Sequence, residues 1–485
     1  MNKKVNIIGA GLAGLSAGIF LQQEGFETEI FELAGWAGGV CTAWVRNGYR
    51  FDGCIHWMVG TKKGDGFNQI YREVGALEED TVIYSADSVR LEIRGVMYEV
   101  PMEISKFRAF LLTLSEQDDE KILGFCKDVE LMTQTKMPAG APSGLSEMIG
   151  LMKDSKGFLT LARKYLGKTI GEVAQSFHSE KIRELLGALM PADYSAEGII
   201  MMLGTRMSGN AGYPMGGAQG VIRRMESKYR SLGGKINFNS RVDEIAVQDG
   251  AATAIRSRGV LYPADAVIAA CDAYDTLQNM LKGSYVHPQL NNMLKTAPLF
   301  PTLALVCFGL KKQFSIPYSV RYECPEGIPT APGVIRHSFS IRSFEFDPET
   351  APENCSSVMI TLNAPLEYWE KLRADDPDEY KRQKQQLADA VAGAVERRIP
   401  GFREAIAVTD VATPATYVRL ANLYQGSFEG FAPTPSALKT NIKKRIPGLK
   451  KFCICGQWTS AGGGICSAIS DGKRAANLVS KEIKK

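Results

Sequence analysis

Residues 5–32, VNIIGAGLAGLSAGIFLQQEGFETEIFE, constrain the fold more than any other stretch: they specify in order a buried strand, a glycine turn, a helix and a second strand. Val5 to Ile8 is the short apolar run that a strand covered on both faces requires. Gly9, Gly11 and Gly14 follow at once in G-x-G-x-x-G spacing. Gly9 permits a tight turn, Gly11 keeps a Cβ out of the path of a pyrophosphate approaching the backbone, and Gly14 lets the helix pack close against the strand. The helix opens at Leu12 and Ala13, where unpaired N–H groups and the positive end of the helix dipole face that diphosphate. Gly25 marks the far end of the helix, and residues 28–31 predict the second strand. Glu32 ends that strand about 20 residues past the glycines, where a ribose hydroxyl would be held; an acid there argues against a ribose 2′-phosphate. The motif alone does not separate NAD from FAD.

A chain of 485 residues exceeds one ordinary core and implies about two or three domains. Apolar content of 45% and charged content of 23% are those of a soluble globular protein, and a net charge of +4 is too small to imply nucleic acid. Ten scattered cysteines and four histidines leave little material for a metal site and read as reduced cytosolic thiols. Cys453 and Cys455 form a C-x-C inside an apolar run, so buried structural thiols are expected. Lys3 and Lys4 ahead of an apolar segment imitate a secretory signal, but cleavage there would destroy the dinucleotide unit, so none is expected. No uninterrupted apolar run reaches the roughly 18 residues of a spanning helix. A cytoplasmic location is expected, with attachment at a membrane surface left open.

Further along, residues 89–100 predict a hairpin turning at Arg94-Gly95. Residues 104–152 and 158–202 read as amphipathic helices separated by a loop at 138–143, without the strand-helix alternation of the first domain. Methionines 132, 137, 148, 152, 190, 201, 202 and 207 gather there; at helical spacing they are core by default, and the lining of an adaptable apolar tunnel is the functional alternative. A segment Tyr213-Pro-Met-Gly-Gly217 leads into a helix over 221–231, a glycine turn, a strand within KINFNSRVDEIAVQ, a hairpin and a closing strand at 264–272. LALVCFGL, HSFSIRSFEF and SSVMITLNA predict three strands of a second sheet, and Asp376-Pro377 caps a helix whose Leu387, Val391, Val395 and Ile399 recur every fourth residue. Six basic residues fall within 439–451, a solvated face by default with contact to an anionic membrane surface as the alternative. At the C-terminal end, FCICGQWTSAGGGICSAISDGKRAA predicts a strand ending at Gly456, a glycine turn at 462–464 and a helix from about Ile465.

Gly38 and Gly39 after Glu32, the Phe51-Asp52-Gly53 segment, the tyrosine-proline-glycine-glycine block and Gly456-Gln457-Trp458 with three following glycines together resemble the FAD-dependent amine oxidase and phytoene desaturase superfamily. The terminal motif is most similar to phytoene desaturases, carotenoid isomerases and all-trans-retinol saturases. Three departures stand out: Val40 replaces the Arg or Lys common after the glycine pair, Cys466-Ser467 stands where Pro-Gly is frequent, and Asp471 precedes Gly472 where serine is common. The resemblance implies an α/β fold with a discontinuous Rossmann-like FAD-binding domain (residues 1–95, 210–295 and 410–485). A mixed-sheet and helical substrate domain (96–209 and 296–409) would be inserted in it.

FAD is the expected cofactor. Gly38, Gly39 and Val40 would line the diphosphate and the approach to the flavin, and the Val242 backbone would meet the adenine. Gly426 and Gly430 would let a crossing segment approach closely. Gly456, Gly463, Gly464 and Ile465 would bring a second helix N-terminus to the pyrimidine edge of the ring, where it would stabilise negative charge. No acid-base constellation can be read from the spacing; His56 is the one histidine the resemblance brings near the cofactor, and a packing role is expected for it. The activity implied is hydride movement at a carbon-carbon bond of a long apolar polyene or isoprenoid, by desaturation, saturation or isomerisation. A flavin amine oxidase, and a flavin-free protein that binds prenylated partners as Rab GDP-dissociation inhibitors do, remain alternatives.

Overall fold

The computed structural model describes residues 3–137 and 156–484. Strand β1 (Lys4–Ile8), helix α1 (Leu12–Gln23) and strand β2 (Glu27–Phe31) form the expected unit, with Ile7 opposite Ile30 in a parallel ladder. The chain returns to it twice. The first return brings α2 (Gly217–Ser231), β3 (Lys235–Asn237) and β4 (Ala266–Ala269); the second brings β5 (Phe452–Ile454) and α3 (Ile465–Ile483). The five strands make one parallel sheet in the order β3-β2-β1-β4-β5. Val5, Ile7 and Ile268 are fully buried, as a sheet covered on both faces demands. With β2 on one side of β1 and β4 on the other, a crevice opens beyond the carboxyl end of β1.

Two glycines let the helices close on this sheet. A Cβ on Gly14 would stand 2.0 Å from the Gly9 carbonyl oxygen, so only glycine permits that helix-strand spacing. A Cβ on Gly472 would stand 2.3 Å from the Ala13 carbonyl oxygen, which makes Gly472 the contact point between α3 and α1. Ser16 Oγ donates to the Ile469 carbonyl at 2.7 Å across the same interface. The first two turns of α1 and α3 therefore pack directly against each other.

The second half is built on a seven-stranded mixed sheet, in the order Ile406–Ala412, Leu303–Leu310, Ser356–Asn363, Val334–Ser343, Ser319–Ala331, Ser88–Ile93 and Val96–Pro101. Helix Pro377–Glu396 covers one face, with Leu387, Val391 and Val395 buried against Val306 and Phe308. Asp376 caps it, accepting from the Glu379 N–H at 2.9 Å. Helices Ile104–Leu112, Asp119–Thr133, Lys156–Tyr165, Ile170–Gln175, Glu180–Leu189 and Ala196–Met207 surround a separate core that includes Phe107, Ile122 and Ile182. Met132, Met137 and Met202 are buried in that core and Met190, Met201 and Met207 pack at its margin, which is the structural role; Met148, Met152 and the loop expected at 138–143 lie outside the described residues.

Several expectations are corrected. The hairpin turns at Arg94 and Gly95, both with positive φ (51° and 74°), as expected, but it belongs whole to the seven-stranded sheet, so a boundary at residue 95 cuts through its turn. Strand Ile406–Ala412 also joins that sheet and carries the later crossing past residue 410. KINFNSRVDEIAVQ is two strands in different sheets, parted by a loop around Asn239 at φ 50°. Helix α2 starts at Gly217 rather than Val221. Strand Ser319–Ala331 escaped notice because Pro325, Gly327 and Pro329 mask its period; its register shifts between Glu323 and Ile328 accommodate them.

Candidate functional site

The crevice beyond β1 is walled by two helix N-termini and a glycine pair. Gly9 turns the chain with φ 99°, its N–H donating to the Phe31 carbonyl at 2.8 Å. Gly11 caps α1 without any side-chain cap, and no acid occupies the first turn, so the N–H groups at Leu12 and Ala13 lack a local carboxylate. A Cβ on Gly11 would meet nothing nearer than the Gly38 carbonyl oxygen at 3.9 Å; it would project into open space. Gly38 is tied to this turn, its N–H donating to the Ala10 carbonyl at 2.9 Å, and Gly39 (φ 60°) faces Gly11 Cα. Val40 follows, half-buried, so no charge enters here from the pair.

Helix α3 repeats the arrangement. Gly464 caps it at φ 89° with no side-chain cap, and a Cβ there would meet nothing within 4 Å. Ile465 is its first residue. Gly456, at φ 104°, sits against α1, since its Cβ position lies 3.6 Å from Ala13 Cβ. Gly463 differs: the space a side chain would take is filled by Glu429, whose Cβ stands 3.0 Å away. Gly430, at φ 72°, lets the 424–430 loop pass the Gln457 carbonyl, against which a Cβ would stand at 2.9 Å.

Glu32 is buried and already engaged, accepting from the Ala10 N–H at 2.6 Å and the Ala34 N–H at 2.8 Å. Burial pushes its carboxyl up, opposed by those N–H groups. The loop after β3 docks beside it, with the Ser240 N–H on the Glu32 carbonyl at 2.7 Å, and leads to Val242, buried with Ile8 and Phe31. Contacts link several of the positions expected to hold a dinucleotide: Gly38 to Ala10, Gly39 to Gly11, Gly456 to Ala13, and Val242 to Ile8. Among the glycines, Gly464 opens onto free space and Gly11 meets only the Gly38 carbonyl oxygen at 3.9 Å; Gly39 and Gly456 are in ordinary contact with Gly11 Cα and Ala13 Cβ, and Gly9, Gly14 and Gly463 serve close backbone packing.

The departure at Asp471 has a structural role. Its side chain is buried within α3, accepts from the Gly456 N–H at 2.8 Å and the Thr459 hydroxyl at 2.7 Å, and forms an ion pair with Lys444. It pins the loop before the glycine turn, so no tight turn is needed at 471–472. Lys444 and Arg445, the latter paired with Glu482 at 2.9 Å, also remove two charges from the basic face expected at 439–451. Cys453 and Cys455 are buried free thiols, as expected.

Residues 51–57 line the other side of the site. Asp52 holds the loop, accepting from the Cys54 and Ile55 N–H groups at 3.0 and 2.9 Å, and anchors α2 through the Ala218 N–H at 2.7 Å. Beyond it His56 and Trp57 enter a largely enclosed pocket shared with Tyr84, Arg206, Tyr213 and Tyr318. The His56 ring is exposed and lines this pocket. Desolvation by the surrounding protein first, and the Arg342 guanidinium second, hold its imidazole well below the usual range, hence neutral near pH 7. The larger cleft bounded by Arg72, Arg224 and Lys228 contains none of these residues.

Sequence reasoning missed Glu429. Among the described residues no hydrogen bond or ion pair reaches its carboxyl, and burial pushes it up to about 7. Its charge is felt by Cys54, Cys466 and Tyr194, which places it between the first turn of α3 and the 51–57 loop. The only sequence signal is an acid amid Phe428, Gly430 and Phe431, an apolar setting in which an exposed carboxylate is not expected.

The family model for flavin-containing amine oxidoreductases matches residues 12–480. The phytoene desaturase (lycopene-forming) of Pseudescherichia vulneris is 24% identical, covering 99% of this chain and 100% of its own. Prolycopene isomerase 1 of an Oncidium hybrid cultivar is also 24% identical, over 98% of this chain and 84% of its own. The solved cyclohexylamine oxidase of Brevibacterium oxydans shares the fold over the full length of both chains, with a TM-score of 0.59 at 15% identity. The flavin-free binding alternative is thereby set aside. With two uncapped helix N-termini on one crevice and a family match across almost its whole length, the chain belongs to the flavin-containing amine oxidoreductase family and is an FAD-dependent oxidoreductase.

Proposed function

We propose that this enzyme moves hydride at a carbon-carbon bond of a long apolar polyene or isoprenoid, and that its cofactor lies along the crevice between α1 and α3. The observation that carries the cofactor placement is the pair of uncapped helix starts whose Gly11 and Gly464 leave their Cβ space open. The substrate class rests on the end-to-end likeness to a phytoene desaturase and a prolycopene isomerase. In this reading Gly9, Gly11, Leu12, Ala13 and Gly14 hold the diphosphate, as the N–H groups of a helix start do. Glu32 takes the ribose with its remaining lone pairs, and the Val242 backbone meets the adenine. Gly38, Gly39 and Val40 flank the path toward the ring, and Gly456, Gly463, Gly464 and Ile465 surround its far edge. Bound FAD supplies a two-electron hydride acceptor or donor.

The remaining work belongs to the chain. Desaturation removes a hydride and a proton from adjacent carbons, and Glu429 is the group we assign to the proton: ionised it accepts it, and in the reverse direction it returns it. A carboxyl titrating near 7 is poised for both. Aromatic rings at Trp57, Tyr84 and Tyr318 give the pocket apolar walls, and neutral His56 adds no charge to repel a hydrocarbon.

No helix among the described residues is long and apolar enough to cross a membrane. Exposed Leu166 and Leu438 adjoin in sequence Gly167 and Lys439, whose Nζ lies 3.3 Å from the Cβ position of Gly167, and this apolar and basic corner is where we place contact with the membrane holding the substrate. The test of the function is anaerobic. The purified protein should show a flavin spectrum that a polyene bleaches or, after chemical reduction, restores; bleaching by amines alone would replace this reading with an amine oxidase.

A further inference from the structure

Two arginines beside the His56-Trp57 pocket, Arg206 in its wall and Arg342 behind it, have no counter-ion among the described residues. Arg342, on strand Val334–Ser343, is buried at 4% exposure. Its Nη1 reaches the Ile55 carbonyl at 3.4 Å and its Nη2 has no hydrogen-bond partner. Arg206, in the last turn of Ala196–Met207, has no hydrogen bond or ion pair among the described residues; its guanidinium lies 5.5 Å from the centre of the Trp57 ring. The two converge on one place. Tyr318 donates to the His56 carbonyl at 2.6 Å, interacts with both guanidinium groups, and shares the pocket wall with Arg206, His56 and Trp57.

Among the described residues the nearby aspartates are already committed, and Glu429, shifted by burial alone, pairs with neither guanidinium. Asp52 accepts from Ala218, Cys54 and Ile55 N–H groups. Asp347 pairs with Arg50 at 2.6 Å, and Asp410 with Arg46 at 3.0 Å and the Trp44 indole N–H at 2.9 Å. Burying a guanidinium without a partner is strongly unfavourable, and each presents five donors in a planar fork suited to a carboxylate. An uncompensated pair kept in an otherwise aromatic pocket points to a ligand that brings the negative charge with it.

We propose that Arg206 and Arg342 form a subsite for a carboxylate at the end of an otherwise apolar substrate, so that the enzyme works on a polyene or isoprenoid acid. This rests on the apolar-substrate reading above and narrows it. The head anchored against Trp57 and Tyr318 would set which carbon-carbon bond along the chain reaches the reacting position. Arg206 and Arg342 act as binding and positioning residues. His56, held neutral beside them, leaves their charge undiluted by a third titrating group near pH 7.

The test is binding to the flavin-loaded protein, followed by equilibrium dialysis and by quenching of tryptophan fluorescence, with four probes of matched chain length: a polyene acid, its primary alcohol, its hydrocarbon and its phosphate ester. The acid should bind at least tenfold tighter than the alcohol. Arg206→Met should abolish the preference for acid over alcohol, and Arg206→Lys should restore part of it. Arg342→Met should act likewise; because it is buried and risks misfolding, the Arg206 pair decides the matter on its own. Equal binding of acid, alcohol and hydrocarbon would overturn the subsite while leaving the apolar-substrate reading intact. Tighter binding of the phosphate ester would overturn the carboxylate assignment. Failure of all four to bind would overturn the apolar-substrate reading itself.

Discussion

Replacing Asp471 probes the link between fold and cofactor site most sharply. This buried carboxylate holds three partners at once: the Lys444 ammonium, the Gly456 N–H at 2.8 Å and the Thr459 hydroxyl at 2.7 Å. Both charged side chains are about nine-tenths buried, at 11% and 8% exposure, so the pair is not screened as a surface pair would be. Removing one partner of a buried pair leaves an uncompensated charge and costs about 3–5 kcal/mol. Asp471→Asn keeps an acceptor for Gly456 and should fall near the lower end, about 3 kcal/mol. Asp471→Ala also strands the Gly456 N–H and should approach about 5 kcal/mol. Adding Lys444→Met to Asp471→Asn removes the stranded ammonium and should recover at least half of the loss. Urea denaturation followed by tryptophan fluorescence reads the effect, since Trp458 is buried beside Thr459. If Asp471→Ala denatures within about 1 kcal/mol of the parent, or if Lys444→Met makes Asp471→Asn worse, the buried-pair argument is wrong.

Three further outcomes follow from particular atoms. Gly14→Ala puts a methyl 2.0 Å from the Gly9 carbonyl oxygen, and the forced shift of α1 should cost about 3 kcal/mol and lower soluble yield. Glu32→Ala removes the acceptor for two N–H groups at the adenosine end and should weaken FAD binding by about ten- to a hundredfold, measured by dialysis. Glu429 ionises near pH 7 in the folded protein against an ordinary value of 4.5, so the folded state holds one more proton across that window. Stability of the flavin-free protein therefore falls as pH rises from about 4.5 to about 7, and Asp272, pushed up to about 6 by burial, adds to the fall in the lower part of the range. Glu429→Gln should flatten the upper part of that profile and abolish incorporation of solvent deuterium into a processed substrate; an unchanged profile would remove Glu429 from the proton role.

The first domain was readable because its constraints are local. A strand buried on both faces, a turn with positive φ and a helix without a cap each leave a signature within a few residues, and residues 4–31 and 452–483 fell where spacing put them. The substrate half was less so. Strand Ser319–Ala331 carries two prolines and a glycine, and only its partner strand shows why they are tolerated. Asp471 looked like a departure affecting a turn, because nothing in the sequence announces that Lys444, 27 residues earlier, will be its counter-ion. Glu429, Arg206 and Arg342 come from three distant segments, and none belongs to a motif. What marks them is a missing partner, a property visible only once the chain is folded.

The central claim is that FAD lies between the starts of α1 and α3, and Gly11 tests it most directly. Its backbone, at φ −71° and ψ 179°, suits any residue, and a Cβ there meets nothing closer than 3.9 Å, so Gly11→Ala should fold as well as the parent. The measurement is moles of FAD bound per mole of this folded variant, with Gly11→Val as the larger step. The account predicts FAD affinity reduced at least tenfold in Gly11→Ala and no flavin retained by Gly11→Val, at unchanged circular dichroism. Full flavin content in both folded variants would contradict it.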